Sequence, residues 1–177
     1  MKELIILSDL WGKKKIDCLN YYSMILKDHF KLTFFDSREL AAIDPRDYSE
    51  EELHQQFVNG GINQAVTTLL QDVKETTHIL GFSIGGYIAW KAVLEGLKAS
   101  KMTLISSTRL RYENNRPSTV IDLYYGEKDI YRPTLDWFEK LGLNQNIYRG
   151  EEHNFYRKQK IATDICNRII GEIKSNR

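Results

Sequence analysis

The sequence predicts an open, doubly wound α/β protein: a three-layer parallel sheet of about six strands with helices on both faces. Short apolar runs alternate with longer amphipathic stretches along the chain, and strands joined through helices pair in parallel. The apolar runs carry few polar residues, as expected of strands that are buried on both faces. Because the chain has 177 residues, we expect a single domain over residues 1–177.

Composition excludes several classes of protein. Lys and Arg number 25 against 24 Asp and Glu, so the net charge is +1, without the basic excess of a nucleic-acid or polybasic membrane binder. The apolar runs are far shorter than the roughly 20 residues of a spanning helix. The one near the N-terminus is also shorter than the core of a secretory signal, about 7–15 residues. Cys18 and Cys166 are predicted to be reduced thiols in a soluble, cytoplasmic protein.

The first half of the chain is predicted to begin with two strands, residues 4–7 and 32–35, on either side of a helix. The helix is placed at 16–30 because its apolar residues recur at helical spacing. These residues are Leu19, Tyr22, Ile25, Leu26 and Phe30.

A helical segment follows at residues 49–73. Ser49 and Glu52 have the spacing of a capping box, which marks a helix N-terminus. Gly60 and Gly61 are expected to interrupt the segment, which would then form two helices.

The second half is predicted to contain further strands at 77–82, 102–106, 120–125 and, with a weaker pattern, 146–148. Helices are predicted at 84–97, 133–141 and 155–174. Residues 109–118 break the alternation, since they are charged and contain a proline. We expect a loop there instead of a crossover helix.

The strongest functional motif is Gly81-Phe82-Ser83-Ile84-Gly85-Gly86, which lies between a predicted strand and a predicted helix. Ligands bind such sheets beyond the carboxyl ends of the strands, and G-x-S-x-G in this position is the pattern of a nucleophile elbow. The helix N-terminus would place partial positive charge beside an oxyanion. The alternative is an ordinary glycine-rich turn.

Two later junctions supply possible partners for Ser83. Asp129 lies in the turn after residues 120–125 and could accept the Nδ1–H of a histidine, although a solvent-facing turn aspartate is the alternative. His153 follows residues 146–148, where it could act as a general base. Of the other histidines, two fall in predicted helices and one at the start of a strand: His29, His54 and His78.

The chain order Ser83, Asp129, His153 resembles that of a small α/β-hydrolase. The elbow and the turns around Asp129 and His153 carry this resemblance. It implies that Ser83 is the nucleophile, His153 the base and Asp129 the acid. The chain departs from that superfamily in lacking an N-terminal antiparallel hairpin and a cap insertion, so we expect a shallow, open site.

The resemblance also implies an oxyanion hole built from two backbone N–H groups. Ile84, directly after the nucleophile, would donate one of them. The other would come from Leu10 or Trp11, because the His-Gly motif that often supplies it is absent. Trp11 could instead form a wall of the acyl pocket or pack the loop down. Asp9 could disfavour anionic substrates or cap the following helix.

Arg109 is a candidate substrate-binding residue and, with Arg111 and Arg132, could form a basic rim for a carboxylate or a carrier phosphate. A solvated surface is the alternative interpretation. The sequence contains no zinc-ligand spacing and no phosphate- or dinucleotide-binding glycine motif. No metal or cofactor is therefore expected.

Together these features predict a serine hydrolase that cleaves an ester or thioester through an acyl-enzyme. The expected partner is a small-molecule acyl ester or thioester, free or linked to a carrier, and neither nucleic acid nor membrane. One alternative is an esterase or thioesterase dedicated to an acidic acyl carrier. The other is a non-catalytic α/β scaffold that binds a ligand or a protein partner.

Overall fold

The computed structural model describes residues 1–12 and 17–175, and its strands form one six-stranded sheet in the order β2-β1-β3-β4-β5-β6. Every neighbouring pair of strands in this sheet is parallel. The strands are β1 (Lys2–Leu7), β2 (Phe30–Phe35), β3 (Thr77–Phe82), β4 (Ala99–Ile105), β5 (Val120–Gly126) and β6 (Gln145–Tyr148). The predicted parallel α/β sheet is confirmed.

Helices cover both faces of the sheet. They are α1 (Asp17–Leu26), α2 (Ser37–Leu40), α3 (Glu50–Gln56), α4 (Ile62–Asp72), α5 (Ile84–Leu94), α6 (Leu135–Leu141) and α7 (Gln159–Ser175). Leu4 and Ile6 of β1 pack into the core under α1 and α7. Ile5 and Leu7 pack into the opposite core, with residues of α4, α5 and α6. Successive residues of a strand face opposite sides, which is why both cores require an uninterrupted apolar run.

The segment between β2 and β3 follows the sequence prediction closely. Ser49 and Glu52 form the predicted capping box at the start of α3. The chain leaves helical geometry at Asn59 and Gly60, where Gly60 has φ = +125°. The glycine pair therefore separates α3 from α4 as expected, because this φ suits glycine alone.

Three helix boundaries differ from the prediction. Helix α1 ends at Leu26, and Phe30 is instead the first residue of β2, because its ring is buried in the sheet core. His29, predicted to be helical, lies exposed in the turn between them. The start of that predicted helix falls partly outside the described residues.

Helices α5 and α7 are shorter than predicted. Helix α5 ends at Leu94, since Gly96 adopts φ = +111° and Leu97 closes the turn by donating to the carbonyl of Ala92. Residues Phe155–Arg157 form a separate 3-10 turn ahead of α7.

Two short helices were not predicted. Helix α2 spans only four residues and begins where Asp36 accepts the N–H groups of Arg38 and Glu39. A 3-10 helix, Thr108–Tyr112, occupies the start of the segment predicted as a loop. Both are too short to show a helical repeat in the sequence.

The fold brings the candidate residues to one edge. Since all pairs are parallel, the carboxyl ends of the strands lie together, and Ser83 follows β3 while the turn of Asp129 follows β5. His153 lies in the turn beyond β6. None of the helices formed by residues 1–12 and 17–175 is long and apolar enough to cross a membrane.

Candidate active site

Ser83 occupies a strained turn between β3 and α5. Its backbone has φ = +48° and ψ = −116°, a conformation that residues with a Cβ rarely adopt. A Cβ added to Gly81 would lie 2.5 Å from the Cα of Gly86, and one added to Gly85 would overlap the carbonyl oxygen of Ser8. The turn therefore needs its glycines for space, which matches the geometry expected of an elbow.

The side chains of Ser83, His153 and Asp129 form a continuous chain of hydrogen bonds. Ser83 Oγ lies 3.1 Å from His153 Nε2, and His153 Nδ1 lies 2.7 Å from Asp129 Oδ2. The imidazole is partly open to solvent, with 39% of the side chain exposed, whereas 1% of the Asp129 side chain is exposed. The structure thus brings together three predicted residues that are distant in sequence.

Asp129 is buried, so the alternative of a solvent-facing turn residue does not fit. Its Oδ1 accepts the backbone N–H of Tyr131 at 3.1 Å, which leaves Oδ2 for the imidazole. Nearby acids have other partners: Asp122 pairs with Lys101, and Glu127 accepts the N–H of Gly150 at 2.8 Å. Asp129 is therefore the carboxylate that is hydrogen-bonded to the ring.

The aspartate turn, residues 126–131, packs directly against the histidine loop, residues 149–154. Lys128 N–H donates to the carbonyl of Glu151 at 2.8 Å. A Cβ on Gly126 would lie 2.5 Å from the carbonyl oxygens of Glu151 and Glu152. The two backbones approach so closely that only glycine fits between them.

The loop after β1, residues 8–12, was predicted to supply the second oxyanion donor from either Leu10 or Trp11. The backbone N–H of Trp11 donates to Asp9 Oδ1 at 2.9 Å. The prediction of Trp11 as an oxyanion donor is therefore wrong, because an Asx turn uses this N–H. Of the two predicted donors, Leu10 is the one that remains. Its side chain packs against the core that contains residues of α5. Ile84 is the first residue of α5, where backbone N–H groups lack helical partners.

Asp9 connects this loop to the turn after the histidine loop. Its buried carboxylate accepts hydrogen bonds from the hydroxyl of Tyr156 at 2.9 Å and from Arg157 Nη2 at 2.7 Å. Burial, reinforced by the charge of Asp9, raises the pKa of Tyr156 well above its usual value of 10.0. Asp9 is thus a buried carboxylate paired with a cation that links two loops. Its bond to the N–H of Trp11 is of the kind a helix cap makes, and the segment it was predicted to cap lies partly outside the described residues.

Arg109 is engaged with aromatic rings. Its guanidinium lies 5.6 Å from the ring centre of Tyr87 and 5.3 Å from that of Tyr112. Arg111 lies over Tyr112 at 4.3 Å and donates to the carbonyl of Thr108. These stacking contacts hold Arg109 and Arg111 of the predicted basic rim in place, and a substrate-binding role for Arg109 stays a prediction.

The surroundings offer a cavity but no metal ligand cluster. A cavity of about 310 Å³ opens beside the aspartate turn, lined by Glu127, Lys128, Asp129, Ile130, Arg132, Pro133, Thr134, Leu135 and Gln145. Within residues 1–12 and 17–175, no group of three or more His, Cys, Asp or Glu side chains could hold a metal ion.

One residue of the site was missed by the sequence analysis. Ser106, directly after β4, donates its hydroxyl to the backbone carbonyl of His153 at 2.5 Å. Its position at the end of a central strand was the available signal, but no glycine pattern accompanies it.

Comparison with known proteins agrees with this architecture. No family model matches the chain, and no curated protein does. Among solved structures, a protein of the alpha/beta hydrolase superfamily from Xanthomonas campestris pv. campestris matches with a TM-score of 0.70 and 14% identity, over 97% of this chain and 99% of that chain. Mouse alpha/beta hydrolase domain-containing protein 10 matches with a TM-score of 0.68 and 14% identity, over 99% and 90% of the two chains.

A third match is an α/β serine hydrolase without a lid, also from Xanthomonas campestris. Its TM-score is 0.59 and its identity 16%, over 97% of this chain and 81% of that chain. The chain therefore has the α/β-hydrolase fold, and the resemblance seen in its sequence is confirmed at that level. At these identities the comparisons establish the fold, and the activity has to be argued from the site.

Proposed function

We propose that the protein is a serine hydrolase that cleaves an ester or thioester bond through a covalent acyl-enzyme. The observation that carries the proposal is the hydrogen-bonded chain from Ser83 through His153 to the buried Asp129. A hydroxyl, an imidazole and a carboxylate in this order form the arrangement that activates a serine for acyl transfer.

In the first half of the reaction, Ser83 Oγ attacks the acyl carbon while His153 Nε2 removes the hydroxyl proton. Asp129 accepts the Nδ1–H, which fixes the tautomer and stabilises the imidazolium. The carbon–oxygen or carbon–sulfur bond then breaks, and His153 returns the proton to the leaving group. In the second half, His153 removes a proton from water, which attacks the acyl-enzyme and releases the acid and Ser83.

The negative charge on the acyl oxygen would be stabilised at the start of α5. The backbone N–H of Ile84 is one proposed donor, and the N–H of Leu10 is the other. Because these groups are backbone atoms held by β1, β3 and α5, they need little reorganisation as charge develops.

The proposed substrate is a small-molecule acyl ester or thioester. A five-residue 3-10 helix is the regular structure between β4 and β5, and no lid covers Ser83 in that connection. The imidazole is partly exposed, so water reaches the base. Good leaving groups suit such an open site, which favours esters and thioesters over amides.

Labelling with a fluorophosphonate tests the proposal. We expect the wild-type chain to form a covalent adduct and Ser83→Ala to form none. The matched control is Ser118→Ala, which changes an exposed serine in the β4–β5 connection. This variant should label at the wild-type rate. Mass spectrometry of the intact protein measures the adduct, and a panel of acyl esters and thioesters then identifies the leaving group.

The opposite result is equally informative. A folded wild-type chain that neither labels nor hydrolyses any member of the panel would contradict the proposal. That outcome would favour the alternative of a non-catalytic α/β scaffold.

A further inference from the structure

We propose that Ser106 is a positioning residue for His153, whose hydroxyl fixes the backbone of the histidine loop so that the imidazole lies against Ser83. The inference rests on the proposed function, because it concerns the base of that reaction. It starts from the hydrogen bond that Ser106 Oγ donates to the carbonyl oxygen of His153, 2.5 Å away.

Ser106 is itself held firmly by the sheet. It follows β4 directly and is completely buried. Its N–H donates to the carbonyl of Tyr124, and its carbonyl accepts the N–H of Thr108, each at 2.9 Å. Its φ of +53° lies in the left-handed region, where a residue with a Cβ persists only if its surroundings impose it. A hydroxyl on such a residue is a fixed donor.

The histidine loop is otherwise bonded to the aspartate turn and to its own neighbours in the chain. The loop lies beyond the last residue of β6 and outside any helix. Glu151 is tied to the aspartate turn through Lys128, and Glu152 accepts the N–H of Phe155 at 3.3 Å. Strand β4 lies inside the sheet, between β3 and β5. Ser106 therefore connects the His153 peptide to an interior strand, next to the one that ends at Ser83.

This connection bears on the base, since the ring follows its backbone. The imidazole must satisfy Ser83 at 3.1 Å and Asp129 at 2.7 Å at the same time. A shift of about 1 Å in a reacting group can reduce the rate by roughly 100-fold. Releasing the His153 carbonyl would let the ring sample positions in which one of the two bonds is lost.

The next residue is a matched control within the same turn. Ser107 is also completely buried, but its Oγ has no hydrogen-bond partner in the described part of the chain. The two serines share residue type, depth and segment, and differ in the bond to the histidine loop and in backbone φ, which is +53° at Ser106 and −81° at Ser107. Comparing them isolates the effect of that bond from the effect of removing a buried oxygen.

The test uses Ser106→Ala, Ser106→Gly and Ser107→Ala in the full-length chain. For both variants of Ser106 we expect kcat for an activated ester to fall by about 10- to 100-fold with KM nearly unchanged. Phosphonate labelling should slow by a similar factor. Ser107→Ala should stay within about twofold of wild type. Glycine relieves the positive φ, so a loss in Ser106→Gly comes from the missing hydroxyl and not from backbone strain.

The division of the effect between kcat and KM separates positioning from general packing. A misplaced base lowers kcat while substrate binding persists, so KM should stay near the wild-type value in both Ser106 variants. Wild-type kcat in Ser106→Gly would overturn the proposal, because the position would then serve only the backbone conformation. Equal losses in all three variants would also overturn it.

A readout without catalysis distinguishes this proposal from the proposed function. The proton on His153 Nδ1 gives a downfield NMR signal when it bonds to Asp129, and we expect that signal to weaken in Ser106→Gly and to persist in Ser107→Ala. If the phosphonate does not label the wild type but the NMR signal behaves as expected in the two variants, the hydrolase would be refuted and the positioning role retained. A signal unchanged in Ser106→Gly would refute the positioning role.

Discussion

Strands β3 and β4 lie side by side, and each is followed by a turn built around a serine with positive φ. Ser83 follows β3 with φ = +48°, and Ser106 follows β4 with φ = +53°. Ser83 contacts the imidazole of His153, whereas Ser106 contacts the carbonyl of the same residue. A serine with positive φ therefore contacts the His153 ring from one turn and the His153 main chain from the other.

The two turns differ in what packs over them. Helix α5 starts directly after Ser83, and a Cβ on Gly81 would meet Gly86 while one on Gly85 would meet the backbone at the end of β1. A Cβ on Gly86 would overlap the hydroxyl of Ser107. The short 3-10 helix after Ser106 starts two residues later. The close approach of α5 leaves a glycine pattern around Ser83, whereas the turn of Ser106 contains no glycine although its φ is similar.

The largest expected effect comes from cutting the link between the ring and its acid while leaving the Ser106 bond intact. Asp129→Asn should lower kcat by roughly 1,000- to 10,000-fold, because the amide no longer holds the reactive tautomer. Circular dichroism should remain that of the wild type. Glu127→Gln is the control and should retain most activity, and an unchanged kcat in Asp129→Asn would contradict the assigned acid.

The opposite edge of the same two strands provides a prediction on stability. The ring Nε2 of His78 in β3 lies 3.1 Å from Oγ1 of Thr103 in β4. Burial, with the charges of Lys101 and Lys2, lowers the pKa of His78 to about 3. The unfolded chain binds a proton near pH 6.5 and the folded chain does not, so stability falls as the pH drops below 6.5.

Between pH 6.5 and 5 this difference amounts to roughly 2 kcal/mol of unfolding free energy. Urea unfolding at several pH values should show that slope in the wild type and a shallower one in His78→Gln. His54→Gln, which changes an exposed histidine of α3, should keep the wild-type slope. A slope unaffected by His78→Gln would refute the assignment.

The smallest expected effect compares the two strained turns directly. Glycine removes the cost of positive φ, which is about 1 kcal/mol. Ser83→Gly should therefore raise the unfolding free energy by up to about 1 kcal/mol while abolishing activity. Ser106→Gly should gain less, because it also loses a buried hydrogen bond of about 1 kcal/mol. Urea unfolding at pH 7 measures both, and a larger gain at Ser106 would contradict the comparison.

These turns also show which parts of the site can be predicted from the sequence. Ser83 was recognised because steric crowding demands glycines around it, and Asp129 and His153 because the ends of parallel strands share one edge. Ser106 and the Asp9 tie were missed because each depends on a contact with a residue far away in the chain. Neither contact requires a particular neighbour in sequence.

The errors in the boundaries have a similar origin. Phe30 continues the apolar spacing of α1, yet its ring packs equally well as the first residue of a strand. Periodicity cannot distinguish the two, because the exposed turn before Phe30 happens to preserve the helical spacing. Trp11 was a plausible donor until the side chain of Asp9, two residues earlier, was seen to use its N–H.

Gly126 lies where the main chains on either side leave no space for a methyl group. Because of that contact, the spacing between the aspartate turn and the histidine loop is set at this point by backbone and not by side-chain packing. A bulkier residue here would push the two segments apart, and so would disturb the bond between the carboxylate and the imidazole while touching neither group.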